Sequence, residues 1–278
     1  MKTKNTQILK ASGDKMPYSS KKVASSLERV GADEETIQLI LHKIEDELYD
    51  GISTKEIYNR AFQLLKSKNR FMASKYKLKK AIFELGPTGF PFERFVAAVL
   101  KNSGYNVKVS EILQGRCVSH EMDIIAEKDE EIILIECKFH TTAERNCDVK
   151  VPLYIHSRYQ DIVSYNNNKN KLPIKKGWVV TNTRFTEDAI TYGKCIGLYL
   201  LSWDYPKDNS LKNLIDHAGL YPITVSTLLT AREKQFLLSR NIVLCRELIH
   251  DNFFLDHLGI SEIRKKRILN EMQSLCNV

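Results

Sequence analysis

The chain has 278 residues, 43% of them apolar, enough for two or three domains with real cores. No run of 18 apolar residues occurs, which argues against a helical membrane span. The net charge is +8 and unevenly placed: residues 1–85 carry 17 basic and 11 acidic side chains, whereas residues 86–205 carry 15 of each.

The six cysteines are scattered, with no C-x-x-C pair, so a zinc site is not expected and reduced, partly buried thiols are. The first residues are polar and lysine-rich without an apolar signal core, a pattern that predicts a cytoplasmic protein.

Residues 1–85 read as a small helical unit. Ile8-Leu9-Lys10 leads to Gly13 as a short strand and turn. Ser19 and Ser20 are N-caps for a helix through Val30, ended by Gly31. Asp33 opens a second helix whose Ile37, Ile40, Leu41, Ile44 and Leu48 form one stripe. Ser53 and Glu56 make a capping-box pattern at the start of a third. A fourth is expected from Ala73 to Leu85. Lys66 to Lys80 holds seven Lys or Arg and no acid, either a phosphate-facing stripe or a solvated helix face.

Ile8-x-Lys10-x-x-Gly13, Tyr18-x-x-x-Lys22-Val23, Thr54-x-x-Ile57 and Ala73-x-x-Tyr76 together resemble the ATP-cone, a regulatory nucleotide-binding domain. The resemblance implies ATP or dATP as effector, with Lys10 and Lys22 as phosphate contacts. Ala11 and Ser12 stand where the family usually has Arg and Asp, which removes a two-pronged phosphate contact.

Gly86-Pro87-Thr88-Gly89-Phe90-Pro91 is a linker and the expected domain boundary. A helix from Phe92 follows, with Phe92, Phe95, Val96, Val99 and Leu100 on its buried stripe and Glu93 beside it. Val107 to Leu113 is a first strand. Ser119 to His140 then reads as two strands joined at Lys128-Asp129-Glu130. Alternation puts Ile132, Leu134, Glu136 and Lys138 on one face, and Ile133, Ile135, Cys137 and Phe139 on the other. A hairpin brings Asp123 near Glu136.

Two carboxylates at the end of buried strands repel unless a positive charge stands between them. A hard divalent ion such as Mg²⁺ or Mn²⁺ suits oxygen ligands. Lys138 beside it can hold an attacking water or neutralise charge building on a phosphate. The bland alternative is a solvated strand end with a surface ion pair.

Asp123 followed by Glu136-Cys137-Lys138 resembles the PD-(D/E)xK nucleases, with Met122 where the Pro of that name stands. The likeness implies a restriction-endonuclease-like fold, metal held by Asp123 and Glu136, and a homodimer cutting DNA. Phe92-Glu93 matches Mrr-like members, in which this Glu is a further acid of the site. His120 and Glu121 flank the site. Gln160, on a helix expected from Pro152 to Tyr165, matches a Gln that some Mrr-like enzymes carry. An Asn-rich loop is expected over Asn166 to Asn170.

Gly177 to Thr183, a helix from Phe185 to Gly193 and Gly197 to Trp203 complete a strand–helix–strand unit, read as a parallel pair. Thr181 and Asn182 would end a strand at a sheet edge, where substrate contacts are common. Residues 206–278 are expected to be helical; Leu258 to Ser261 and the following basic helix resemble a helix-hairpin-helix.

The predicted architecture is therefore mixed α/β. A helical nucleotide-binding domain spans 1–85, a mixed-sheet nuclease domain 90–205, and a helical region of possible DNA contact 206–278. The residues leave two alternatives open: a nucleotide-sensing regulator that binds nucleic acid with an inactive nuclease core, and an enzyme acting on RNA or branched DNA.

Overall fold

The structure is a computed structural model that describes residues 6–10, 13–167 and 174–276. Ala11 and Ser12, and Asn168 to Asn170 of the expected loop, lie outside the described residues.

Strands β1 (Gln7–Leu9) and β2 (Lys15–Pro17) pair antiparallel, with Gly13 at φ 88° in the turn. Helices α1 (Ser20–Glu28), α2 (Glu34–Asp46) and α3 (Thr54–Lys68) follow. Asp33 accepts the Thr36 N–H at 2.8 Å, and Ser53 with Glu56 forms the reciprocal capping box, so the expected helix starts are made by the expected side chains. Leu27, Ile37, Ile40, Ile44, Ile57 and Leu65 build one core with Ala73 and Tyr76.

The expected fourth helix is two. Helix α4 (Arg70–Tyr76) and α5 (Leu78–Phe83) meet at Lys77, whose Nζ donates to Glu84 at 2.6 Å and to the Thr224 carbonyl at 2.9 Å. The break lets the two halves face different cores, because Leu78, Ala81, Ile82 and Leu85 pack in the larger, second one. Much of the basic stripe is turned inward. Lys75 lies 4.6 Å from the Phe71 ring and Lys79 6.0 Å from Trp203, contacts that hide cations on aromatic faces.

Helix α6 (Phe90–Asn102) starts two residues earlier than expected, with Pro91 in its first turn, where the missing N–H costs nothing. Next come β3 (Asn106–Gln114), β4 (Ser119–Lys128), β5 (Glu131–Lys138), β6 (Asn146–Cys147), α7 (Lys150–Asn167), β7 (Ile174–Thr181), β8 (Arg184–Phe185), α8 (Glu187–Ile196) and β9 (Tyr199–Leu201). Helix α7 includes Asn166 and Asn167, which were expected in the loop. The sheet order is β3-β4-β5-β7-β9, antiparallel through β5 and parallel beyond it; β6 and β8 form a separate parallel pair. Asp129 (φ 52°) and Glu130 (φ 61°) make the tight turn of the β4–β5 hairpin. Both faces of β5 are covered as alternation requires: Ile133 and Ile135 pack with α6 residues, and Leu134 packs with Ile162 of α7.

Helices α9 (Leu211–Ala218), α10 (Ala231–Ser239), α11 (Cys245–His250), α12 (Phe253–His257) and α13 (Glu262–Cys276) close the chain and share the sheet's core. The basic run of α13 is split. Arg264 pairs with Glu233 and Lys265 with Asp256, while Lys266 and Arg267 are exposed. Among the described residues no helix is long and apolar enough to cross a membrane. All six cysteines are free thiols.

Candidate active site

Strand β4 brings Asp123 to β5 by a local break in regular pairing. The β4–β5 ladder ends at Ile124–Ile135. One residue beyond, the Asp123 side chain meets β5 instead, and its Oδ2 accepts the Cys137 N–H at 2.7 Å. On the other side the β3–β4 register omits Ser110 opposite Asp123, and Ser110 has φ 57°, a left-handed conformation that is strained for a residue with a side chain. Met122 packs under α7, whereas Ile124 packs under α6. The chain thus changes face at Asp123.

Glu136 sits on β5 with its Oε1 2.7 Å from Arg158 Nη1. Its Oε2 is buried without a hydrogen-bond partner. Burial, then the charge of Asp123, pushes the Glu136 carboxyl up to about 7, although Arg158 opposes this. Glu93, in the first turn of α6, is likewise pushed up to about 7 by burial and then by Asp123. Asp123 is itself raised by burial, while its bond to Cys137 and the charges of Arg158 and Lys138 pull the other way. The three predicted acids therefore share one electrostatic site, with Lys138 exposed at its rim.

The end of β5 is held from β7. Thr181 Oγ1 donates to the Lys138 carbonyl at 2.7 Å. The Asn182 amide takes both backbone groups of His140, accepting from its N–H and donating to its carbonyl, each at 2.8 Å. Both side chains are fully buried, and β7 is an inner strand. Thr181 and Asn182 thus brace the Lys138 segment, and the strand that Thr181 ends is an inner one, not at the sheet edge expected. Phe139 packs tilted against Phe92 at 5.6 Å between centroids, and a Cβ on Gly86 would lie 2.5 Å from its ring. That contact ties the start of α6, and so Glu93, to the end of β5.

The flanking residues have other partners. His120 Nε2 lies 2.8 Å from Asp161 on α7. Asp161 also accepts the N–H groups of Cys117 (2.9 Å) and Val118 (3.3 Å), so one carboxylate shapes the β3–β4 turn. Its carboxyl is held well below the usual range by these bonds, His120 first. Gln160 Nε2 lies 3.1 Å from His156 Nε2. The α7 side chain that reaches the acids is Arg158, two residues earlier. An arginine four residues after Tyr154 and three before Asp161 was visible in the sequence, but nothing there showed which way it turns.

The donors fit a hard divalent cation. Glu136 Oε2 lacks a partner, Asp123 supplies a second carboxylate, and both are destabilised as free anions. Among the described residues no three Asp, Glu, His or Cys side chains already converge as a ligand shell; Mg²⁺ sites commonly use one or two carboxylates and keep waters.

In the helical unit, Tyr18, Lys22, Ser26, Thr54, Tyr58 and Tyr76 line a cavity of about 190 Å³. The hydroxyls of Tyr18 and Tyr58 are buried without partners. Lys10 lies on the β1–β2 turn, where its backbone bonds Gly13 and Asp14, and is not among the cavity-lining residues.

Comparison with known proteins places this geometry in context. Residues 87–204 match the family model of the Mrr-type restriction endonuclease catalytic domain, and residues 221–276 match the AF1548-like C-terminal model. An uncharacterised protein of Archaeoglobus fulgidus is 30% identical over 184 residues, covering 65% of this chain and 99% of its own. The crystal structure of AF1548, a protein of unknown function, aligns with a TM-score of 0.56 at 29% identity, over 68% of this chain and 99% of that one. The DNA modification-dependent restriction endonuclease AspBHI aligns at a TM-score of 0.35 and 14% identity, over 60% of this chain and 39% of that one.

Proposed function

Because the chain belongs to the AF1548-like family and carries a restriction-endonuclease-like domain, we propose that it is a metal-dependent DNA endonuclease whose activity answers to a nucleotide. The observation that carries the reading is the mutual electrostatic influence of Glu93 on α6 and of Asp123 and Glu136 on the β4–β5 hairpin, with Lys138 at the rim. In this reading Asp123 and Glu136 hold Mg²⁺ or Mn²⁺, and Glu93 supports them. The ion, when bound, polarises the scissile phosphate and stabilises charge building on it. Lys138 orients the attacking water, and the Thr181 and Asn182 braces fix where its backbone sits. The raised carboxyls add a requirement: protons must leave Glu136 and Glu93 before a cation is held tightly.

The cavity in the helical unit supports the second half of the proposal. Two buried hydroxyls without partners and a lysine at the wall suit ATP or dATP, with Lys22 on phosphate. Lys10 reaches a bound nucleotide only if the β1–β2 turn folds toward it. A cytoplasmic homodimer, one site per strand, completes the reading.

One observation favours the alternative of a nucleic-acid-binding regulator with an inactive core, namely the ion pair of Glu136 with Arg158. Plasmid cleavage with Mg²⁺ or Mn²⁺, wild type beside Lys138→Ala, with and without ATP, separates the two. Cutting that disappears in the variant supports the nuclease. A wild type that binds DNA yet never cuts with either metal supports the regulator. Parallel assays on RNA and branched DNA define the substrate.

A further inference from the structure

Three acids feel one another's charge at the site, and one guanidinium faces Glu136 from α7. Arg158 and Glu136 are both largely buried, with side chains 12% and 18% exposed. The other Arg158 nitrogen, Nη2, donates to the Glu121 carbonyl, and its Cζ lies 5.5 Å from the centroid of the Tyr154 ring. The contact with Glu136 is one-sided. A guanidinium fork suits both oxygens of a carboxylate, yet here Oε2 is left without a partner.

Arg158 has a second outlook. It lines an open groove of about 690 Å³ together with Arg116, Tyr154, His156 and Gln160. The groove runs between α7 and the β3–β4 turn that Asp161 holds in place. A swing of the arginine head from the carboxylate to this groove is a change of its side-chain torsions. Both ends of that swing are electrostatically sensible. A buried carboxylate left unpaired is costly, so Glu136 needs a cation beside it. A divalent ion and a guanidinium at contact distance from one carboxylate repel each other. A guanidinium turned into this groove, which Arg116 and Asp161 both line, is well shaped for a phosphodiester.

Resting on the nuclease reading above, we propose that Arg158 is an exchangeable counter-ion: it holds Glu136 in the metal-free protein and turns into the groove to take a substrate phosphate when a divalent cation is bound. Metal occupancy and the grip on nucleic acid are then coupled through one side chain.

The test is Mn²⁺ binding to the full chain by titration calorimetry or electron paramagnetic resonance, followed by binding of a short DNA duplex with and without Mn²⁺. Arg158→Ala and Arg158→Gln lose the competitor, so Mn²⁺ binds more tightly, by on the order of tenfold. The same variants lose most of the Mn²⁺-dependent gain in duplex affinity that the wild type shows. Arg158→Lys keeps a charge without the fork, and it serves as the readout if the other variants melt early; its Mn²⁺ affinity falls between wild type and Arg158→Ala. A purely structural arginine predicts the opposite, weaker Mn²⁺ binding in every variant. Unchanged or weaker Mn²⁺ binding in folded variants of a wild type that does bind Mn²⁺ overturns the exchange alone. A wild type that binds no Mn²⁺ overturns the metal-site reading and the exchange with it.

Discussion

Glu271 on α13 accepts a hydrogen bond from Ser74 Oγ on α4 at 2.8 Å, across 197 positions of sequence. The same carboxylate takes Ser226 Oγ, and the N–H and Oγ1 of Thr227 at 2.9 and 2.8 Å. Beside it Lys77 and Lys234 both donate to the Thr224 carbonyl at 2.9 Å. Burial, and then the charge of Lys77, push the Lys234 ammonium down to about 7. The N-terminal helices therefore meet the C-terminal ones through a buried polar joint. Glu271→Ala strands several buried donors at once, and we expect it to destabilise the protein by about 3 kcal/mol. Urea unfolding monitored by circular dichroism measures this, and a loss below about 1 kcal/mol would show that the joint is not structural.

The raised carboxyl of Glu93 makes a pH prediction. A group whose pKa is higher folded than unfolded holds its proton in the native state where the unfolded chain has released it. Its contribution to stability is full below the ordinary carboxylate range and is lost as pH rises through about 7. Glu93→Gln keeps the shape and removes the titration. In metal-free buffer the variant is expected to melt above wild type at about pH 8, with the gap closing toward about pH 5. Thermal melts across that range check it, and a gap that widens at low pH refutes it.

Asn182→Ala removes both bonds to the His140 backbone. The expected cost is about 2 kcal/mol of stability, since two buried backbone groups lose their partner. A misplaced Lys138 is also expected to lower DNA cleavage by roughly tenfold or more. Denaturation and initial-rate assays on the same preparation measure the two effects, and full activity in a destabilised variant would show that the brace does not govern the lysine.

ATP or dATP held at the cavity beside Lys22 is expected to raise the melting temperature in proportion to the logarithm of its concentration. Lys22→Ala should lose most of that rise, and Tyr58→Phe should lose part of it. Differential scanning fluorimetry against ATP, dATP and inorganic phosphate tells them apart. No shift in the wild type with any of them would remove nucleotide control from the reading.

Much of the fold was legible because it rests on local rules. The capping box at Ser53 and Glu56, the stripe of α2 and the two faces of β5 each follow from periods and caps, and the structure has all three. The grouping of the candidate site was legible in part for the same reason: Asp123, Glu136 and Lys138 lie on one hairpin, and the reach of a hairpin is short. What sequence spacing hid depends on long-range packing. Lys77, at the break between α4 and α5, bonds the Thr224 carbonyl 147 positions away. Arg264 and Lys265 look like half of a nucleic-acid contact until Glu233 and Asp256 take them. Thr181 and Asn182 have the polarity of a substrate-facing turn and are instead buried against β5. Arg158 is one of many arginines in the chain, and only the crossing of α7 over the sheet brings it to Glu136.

The last pairing of β4 with β5, at Ile124 and Ile135, sets a count. Glu136 and Lys138 are the first and third residues past that point, and Cys137 between them faces the α6 core. Adding or deleting one residue between Ile135 and Lys138 would swap inside for outside, sending a carboxylate or an ammonium into a greasy interior and a thiol into the solvent. Point changes can retune such a site gradually, but a single-codon insertion there would abolish it in one step. Descendants of this sequence are accordingly free to vary the letters around the hairpin, while the number of letters from Ile135 to Lys138 must stay the same.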